Sequence, residues 1–208
     1  MHQTRQETSM KIPIQRKGTK YIARALDSPR DSIAIVIALR DMLHLAKTAK
    51  EVNEMIKAKS LKINGRIVED YRESIKLFSI LEADKFYVLT ILPTKRFSLE
   101  EAKDKEKRPC KVIGKKLLRG KKIQLNLHDG SNLISSENIN VGDTVYLDFK
   151  GKAKSSVKLE KGKKVMAISG KYIGLLGKVE NIEGKILTVK FADKEEEVTL
   201  PSTHIIVL

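Results

Sequence analysis

Three closely spaced glycines, Gly170, Gly174 and Gly177, share the run Gly170-Lys171-Tyr172-Ile173-Gly174-Leu175-Leu176-Gly177-Lys178-Val179 with two lysines. Glycine admits positive φ and close approach of other backbone, so this spacing predicts a tightly wound turn with accessible amide N–H groups. Beside cations, such a turn suits a phosphate backbone. The lysines supply affinity, and the amides fix position without reading sequence. An ordinary Gly-rich hairpin in a small barrel has the same spacing.

Acid–base chemistry has one candidate, the adjacent His128 and Asp129. Consecutive strand residues point to opposite faces, and Asp129-Gly130 is a turn dipeptide, so turn formation accounts for the pair better than catalysis. The histidines His2, His44 and His204 are too scattered to suggest a metal site. Cys110 has no neighbouring histidine and is expected to pack as a small hydrophobe. A single cysteine also excludes an internal disulfide framework and a multi-cysteine zinc site. No catalytic residue, metal or cofactor is expected, and no enzyme activity.

The formal net charge of +15 makes a polyanion the default partner. A hydrophobic content of 41% is enough to build cores, while 5% aromatic and 32% charged residues predict small cores under a charged surface. The longest apolar run, Ile33 to Leu39, is soon interrupted by Arg40 and Asp41, too short to span a bilayer. Met1 to Gln6 lacks the apolar core of a secretory signal. A cytoplasmic protein without membrane contact is expected. The 208 residues admit one large domain or two to three small ones.

The elements that must position these residues follow from pattern. Residues 1–27 show no sustained periodicity and read as a basic arm carrying Arg5, Lys11, Arg16, Lys17, Lys20 and Arg24, ordering on binding. From Ser28 to 95 a compact α+β unit is expected. Ile35, Ala38, Leu39, Met42, Leu43 and Ala46 have amphipathic helical spacing. Thr48-Ala49-Lys50-Glu51 is a capping box opening a second helix, and Asn64-Gly65 is a type I′ hairpin signal between Leu61 and Val68. Ser74 to Leu81 and Phe86 to Leu92 add strands.

Ser98-Leu99-Glu100-Glu101 reads as another capping box, starting a polar helix that ends before Pro109. Residues 96–155 otherwise read as β-rich, with strands at Lys111 to Ile113, Lys122 to Leu127, Asn132 to Ile134 and Thr144 to Phe149. Gly151 to Ser156 reads as a linker. Residues 156–208 read as a small five-strand-type barrel, with strands at Lys164 to Ile168, Gly177 to Ile182, Ile186 to Phe191 and His204 to Val207.

Three of these segments together resemble the small-subunit ribosomal protein S4e family of archaea and eukaryotes, over residues 28–208. Ile33 to Val68 looks like the S4-type RNA-binding fold. Lys122-Ile123-Gln124-Leu125-Asn126-Leu127-His128-Asp129-Gly130 is similar to a stretch of that family's central domain. Lys164 to Ile182 resembles a KOW motif. Two features depart from the family: Met1 to Met10 does not match its basic arm, and Lys59-Ser60 ends the second helix where related domains place glycine.

The resemblance implies a multidomain α+β protein: an S4-like domain, a β-rich central domain and an SH3-like KOW barrel. It further implies a structural constituent of the small ribosomal subunit. Its partners would be small-subunit rRNA and neighbouring ribosomal proteins, with no small-molecule substrate and no homo-oligomer. RNA would lie across the first helix and hairpin at Arg30, Arg40, Lys47, Lys50, Lys62 and Arg66, with Arg16, Lys17, Lys20 and Arg24 contributing from the arm. In the KOW segment Lys171 and Tyr172 would face RNA or protein, Tyr172 stacking on a base or packing into the core. Two alternatives use the same segments: an RNA-modifying enzyme with an accessory S4-like domain, and a KOW-containing transcription factor.

Overall fold

The computed structural model describes all residues except 1–2, 103–106, 120–121, 136 and 193–196. The chain forms two compact units, residues 1–105 and 106–208. The architecture is mostly β, with few helices. No helix among the described residues is long and apolar enough to cross a membrane.

In the first unit the run Ser32 to Leu39 is wholly buried, so it has no polar face for an amphipathic helix to present. It forms a strand, β3 (Ser32–Ala34), a single turn, α1 (Ile35–Ile37), and a wider π-helical turn over Ala38–Met42. The Leu43 N–H reaches the Ala38 carbonyl at 2.9 Å, one residue beyond α-helical spacing. The expected helix through Ala46 therefore stops short, because burial on every side, with three consecutive β-branched residues, replaces the 3.6-residue stripe. β3 pairs with β6 (Ser74–Lys76), Ile33 opposite Ile75.

The second helix, α2 (Ala49–Lys57), matches its capping box. The Thr48 hydroxyl accepts the Glu51 N–H at 3.3 Å, and the Glu51 carboxylate accepts the Lys47 N–H at 2.8 Å. The Lys47 amide, then the Thr48 hydroxyl, hold the Glu51 carboxyl below its ordinary pKa. At the far end Lys59 takes the left-handed φ of 55° that glycine would supply. The Ser60 amide bonds to the Met55 carbonyl and the Lys59 amide to the Ile56 carbonyl, a Schellman closure made without glycine.

The hairpin forms as its Asn-Gly signal requires. Asn64 (φ 52°) and Gly65 (φ 80°) join β4 (Lys62–Ile63) to β5 (Arg66–Ile67). Asn64 also ties the hairpin to the next strand, its Oδ1 accepting the Ile80 N–H at 2.8 Å. The sheet runs β5-β4-β7-β8-β9, with β7 at Ile80–Glu82, β8 at Phe86–Ile91 and β9 at Phe97–Glu101. β9 stands where a polar helix was expected. Tyr87 to Ile91 offers a half-buried strand as partner, Phe97 is buried, and its N–H donates to the Lys11 carbonyl at 2.7 Å. Pairing thus overrides a local capping signal. The rest of the expected helix includes 103–106, outside the described residues.

Residues 3–27 are also more ordered than an arm. β1 (Gln3–Thr4) pairs with β2 (Tyr21–Ile22), and Ile12 and Ala25 are buried. The Arg5 guanidinium donates to the carbonyls of Gln15 and Thr19 and to the Thr19 hydroxyl. One forked side chain thereby closes the loop that hydrophobic periodicity does not mark.

The second unit holds two antiparallel five-stranded sheets. The first runs β12-β11-β10-β13-β14, with β10 at Arg108–Leu117, β11 at Ile123–Leu127, β12 at Asn132–Ser135, β13 at Thr144–Leu147 and β14 at Ala153–Val157. β10 serves two partners: Arg108 to Lys111 pair with β13, and a bulge between Val112 and Gly114 turns its second half onto β11. Cys110, Val112, Leu125, Leu127, Val145 and Leu147 fill the core. The expected linker Gly151 to Ser156 supplies most of β14, an exposed edge strand whose sequence has no apolar alternation to announce it.

The second sheet runs β18-β17-β16-β15-β19, with β15 at Lys164–Ala167, β16 at Leu176–Glu183, β17 at Ile186–Phe191, β18 at Glu197–Pro201 and β19 at Ile205–Val207. Its core includes Val165, Val179, Leu187, Val189, Phe191 and Val207. β18 had no counterpart among the expected strands. Lys111 connects the sheets. Its buried ammonium donates to the carbonyls of Ser202 (2.6 Å), Thr203 (2.9 Å) and Ile205 (2.6 Å).

Candidate nucleic-acid interface

Asp129, His128 and Cys110 are held in structural roles. Asp129 closes the turn after β11, its Oδ1 accepting the Ser131 N–H (2.9 Å) and hydroxyl (2.6 Å), while Oδ2 takes Arg108 Nη1 at 2.5 Å. Burial works to raise the Asp129 carboxyl, but Ser131 and Arg108 together outweigh it and hold the pKa below the ordinary carboxylate value. His128 Nδ1 accepts the Lys111 backbone N–H at 3.2 Å. Burial pushes the Cys110 thiol up to about 12, so it is no thiolate near neutrality. Among the described residues no cluster of histidine, cysteine or carboxylate could hold a metal ion.

The three glycines of the lysine-rich loop do different jobs, and the Gly174 amide does not lie open. Gly170 (φ 84°) and Gly174 (φ 85°) are left-handed, and the Gly174 N–H is used at 2.7 Å by the Ala167 carbonyl. Gly177 lies within β16, where a Cβ would sit 2.6 Å from the Lys190 carbonyl oxygen and 2.9 Å from Val189 Cγ1. Its role is close strand approach. Gly177→Ala must displace backbone, and unfolding in urea is expected to show a loss of about 1–3 kcal/mol. Unchanged stability would mean that β17 yields freely.

Lys171 is exposed and lies over the Tyr172 ring at 5.8 Å. Tyr172 itself stacks on Phe191 with centroids 5.5 Å apart and packs against the core of the second sheet. One ring face is thus committed to the core.

In the first unit most of the candidate cations have protein partners. Arg40 is bidentate with Asp41 (2.9 and 2.7 Å), Arg66 pairs with Glu73 at 2.7 Å, and Lys62 with Glu82 at 3.3 Å. Arg16 Nη1 donates to the Thr8 carbonyl at 3.0 Å. Lys20 lies over the Tyr21 ring at 5.4 Å. Lys47 and Lys50 are exposed, with no ion pair among the described residues. The structure brings Arg24 and Arg30 to one cleft of about 570 Å³, and Lys17 and Arg40 to another of about 450 Å³ beside Arg5 and His44. The acids flanking Arg40, Lys62 and Arg66 are the feature that sequence reading missed. Asp41 was in view as a neighbour, whereas Glu73 and Glu82 arrive through chain folding.

Small folded β modules with exposed lysine and arginine define a cationic scaffold. Sequence relationships agree. The model of ribosomal family S4e matches residues 83–154, from β8 to β14. The small ribosomal subunit protein eS4 of Methanocella arvoryzae is 32% identical over 178 residues, spanning 82% of this chain and 76% of that one. The protein of the same description from Pyrobaculum aerophilum is 32% identical over 192 residues, covering 82% and 77%. The crystal structure of the 30S ribosomal protein S4e from Thermoplasma acidophilum superposes with a TM-score of 0.73 at 20% identity, over 86% of this chain and 95% of that one. The chain belongs to the S4e family of ribosomal proteins.

Proposed function

We propose that this protein is a structural constituent of the small ribosomal subunit that binds and stabilises folded rRNA, with no chemistry of its own. The observation that carries this reading is the 32% identity to small-subunit relatives across most of both chains. The net charge of +15 supplies the physical means. Those relatives favour a ribosomal role over a modifying enzyme or a transcription factor. The cytoplasmic ribosome is the expected location, with rRNA and neighbouring small-subunit proteins as partners.

The proposed division is a basic N-terminal arm (1–27), an S4-like domain (28–95), a β-rich central domain (96–155) and a KOW SH3-like barrel (156–208), with β9 paired into the sheet of the first unit and β14 reaching Val157. Support comes from the α2 and Asn64-Gly65 hairpin sequence and from the two five-stranded sheets. Phosphate contacts are assigned to Arg30, Arg40, Lys47, Lys50, Lys62 and Arg66, with Arg16, Lys17, Lys20, Arg24 and Lys171 adding charge. Tyr172, already stacked on Phe191, is assigned a lesser part.

Ion pairing grades these contacts. A cation already beside a carboxylate releases fewer counterions when it meets a phosphate. Lys50→Ala is therefore expected to flatten the log K against log salt slope by about 0.9 on duplex RNA, and Lys47→Ala, whose charge already acts on Glu51, by less. Arg40→Ala, Lys62→Ala and Arg66→Ala together should lower affinity, with a smaller change in slope per residue. Filter binding to small-subunit rRNA across a salt series measures both. Unchanged slopes in all of these variants would remove this face from the interface.

A further inference from the structure

The outer face of the C-terminal sheet carries an arrangement that the rRNA reading does not use. Lys164, Lys178 and Lys190 stand directly opposite one another across β15, β16 and β17, and all three are exposed. Like charges opposite each other across strands are unfavourable. Among the described residues none of the three is held in an ion pair. The one described carboxylate in register with the row is Glu197, opposite Lys190 on β18.

Beside this row lies a cleft of about 1010 Å³ with an apolar floor that includes Leu176, Ala192 and Leu208. Leu176 is 54% exposed and Leu208 40%, so the floor presents apolar surface that water covers poorly. Among the described lining residues Glu180 is the one acidic side chain, against three lysines. The cleft thus asks for negative charge and apolar surface together.

A nucleic-acid backbone meets only the first demand. Its phosphates would lose hydration against leucine, and the described lining offers no exposed aromatic ring to stack on a base, Phe191 lying in the core. The β16 amides are already committed to the strands on both sides. A peptide meets both demands, its leucine or phenylalanine entering the cleft while aspartate or glutamate on either side reaches the lysine row.

We propose that this cleft docks a segment of a protein partner in which one or two aliphatic or aromatic side chains are flanked by acidic residues. The C-terminal barrel then faces protein on this side. The inference is independent of where rRNA contacts the first unit.

A fluorescein-labelled octapeptide with a Leu-Phe-Leu centre flanked by aspartates tests it, by anisotropy titration with the full chain. Saturable binding with Kd on the order of 10 μM is expected. Lys178→Glu and Leu176→Ser should each weaken it at least tenfold while circular dichroism is unchanged, and Lys190→Glu serves if either variant fails to fold. An all-aspartate peptide should bind at least tenfold more weakly, and single-stranded RNA should not compete. Absence of saturable binding, equal binding of the all-aspartate peptide, indifference to the substitutions, or displacement by RNA would each overturn the proposal. Displacement would assign the face to RNA. Loss of rRNA binding by the Lys47 and Lys50 variants, measured separately, leaves this result untouched.

Discussion

Asp129→Ala is expected to lower the stability of the second unit by about 3–5 kcal/mol, because it strands a buried guanidinium. The Arg108 and Asp129 side chains are 9% and 6% exposed, and Arg108 Nε already has no hydrogen-bond partner. Removing the carboxylate also releases the Ser131 N–H and hydroxyl that hold the turn. For a unit of roughly 100 residues each kcal/mol shifts Tm by about 4–8 °C, so thermal melting should fall by more than 10 °C. Pairing the change with Arg108→Met should recover much of the loss, since an apolar pair carries no desolvated charge.

The pH dependence has a definite sign. Asp129 titrates lower in the folded chain than its ordinary 3.8, so its contribution is complete above that value and is lost as pH falls through the folded pKa. Wild type should therefore lose stability below about pH 4 more steeply than the double variant. A small shift for Asp129→Ala, or parallel acid profiles, would show that water reaches this pair.

Lys111→Met carries the second large effect. The substitution keeps the length of the side chain but leaves the carbonyls of Ser202, Thr203 and Ile205 without their shared donor. A buried acceptor left unpaired costs about 1–3 kcal/mol, and Ile205 carries most of this loss, because the Ser202 and Thr203 carbonyls are only part-buried and Ser202 keeps the Ile205 N–H. The strut joins the sheet around β10 to the chain entering β19, so the variant should melt in two steps where wild type melts in one. Burial draws the Lys111 ammonium down from 10.5 to about 8. The unfolded chain then binds more protons between these values, so wild-type stability should rise with pH from about 8 to 10.5. The variant should lack that rise. A single unshifted transition would mean that the sheets hold together without the strut.

What was legible in the sequence was local. The Thr48 to Glu51 box and the Asn64-Gly65 turn act through neighbours in the chain, and both form as read. Alternating strands with one buried face, such as Ile123–Leu127 and Ile186–Phe191, also declared themselves. Illegible elements draw their stability from distant partners. Phe97–Glu101 is a strand because Tyr87 to Ile91 lies open beside it, and Ala153–Val157 because β13 needs an edge. Ser32 to Leu39 is buried all round, so no periodicity distinguishes helix from strand there.

The same division runs through the candidate site. Lysine and arginine positions are plain in the sequence, but the carboxylates that temper Lys62 and Arg66 arrive by folding. Gly177 was visible as a special position, yet only strand register shows that it makes room for the Lys190 carbonyl rather than for a phosphate. Arg108 and Lys111 flank Cys110 in a strand with a buried core face. Two charges in such a segment are a signal of buried partners, and that signal was available.

In the proposed function, cationic folded modules, held rigid by buried polar struts, attach this chain to the small ribosomal subunit. Sucrose-gradient fractionation of cells carrying a tagged full chain tests this most directly. The chain is expected in the small-subunit peak, staying there in moderate salt and leaving as salt rises, in step with the counterion slope measured on rRNA. Migration at the top of the gradient at every salt concentration, or with RNA polymerase, would contradict it.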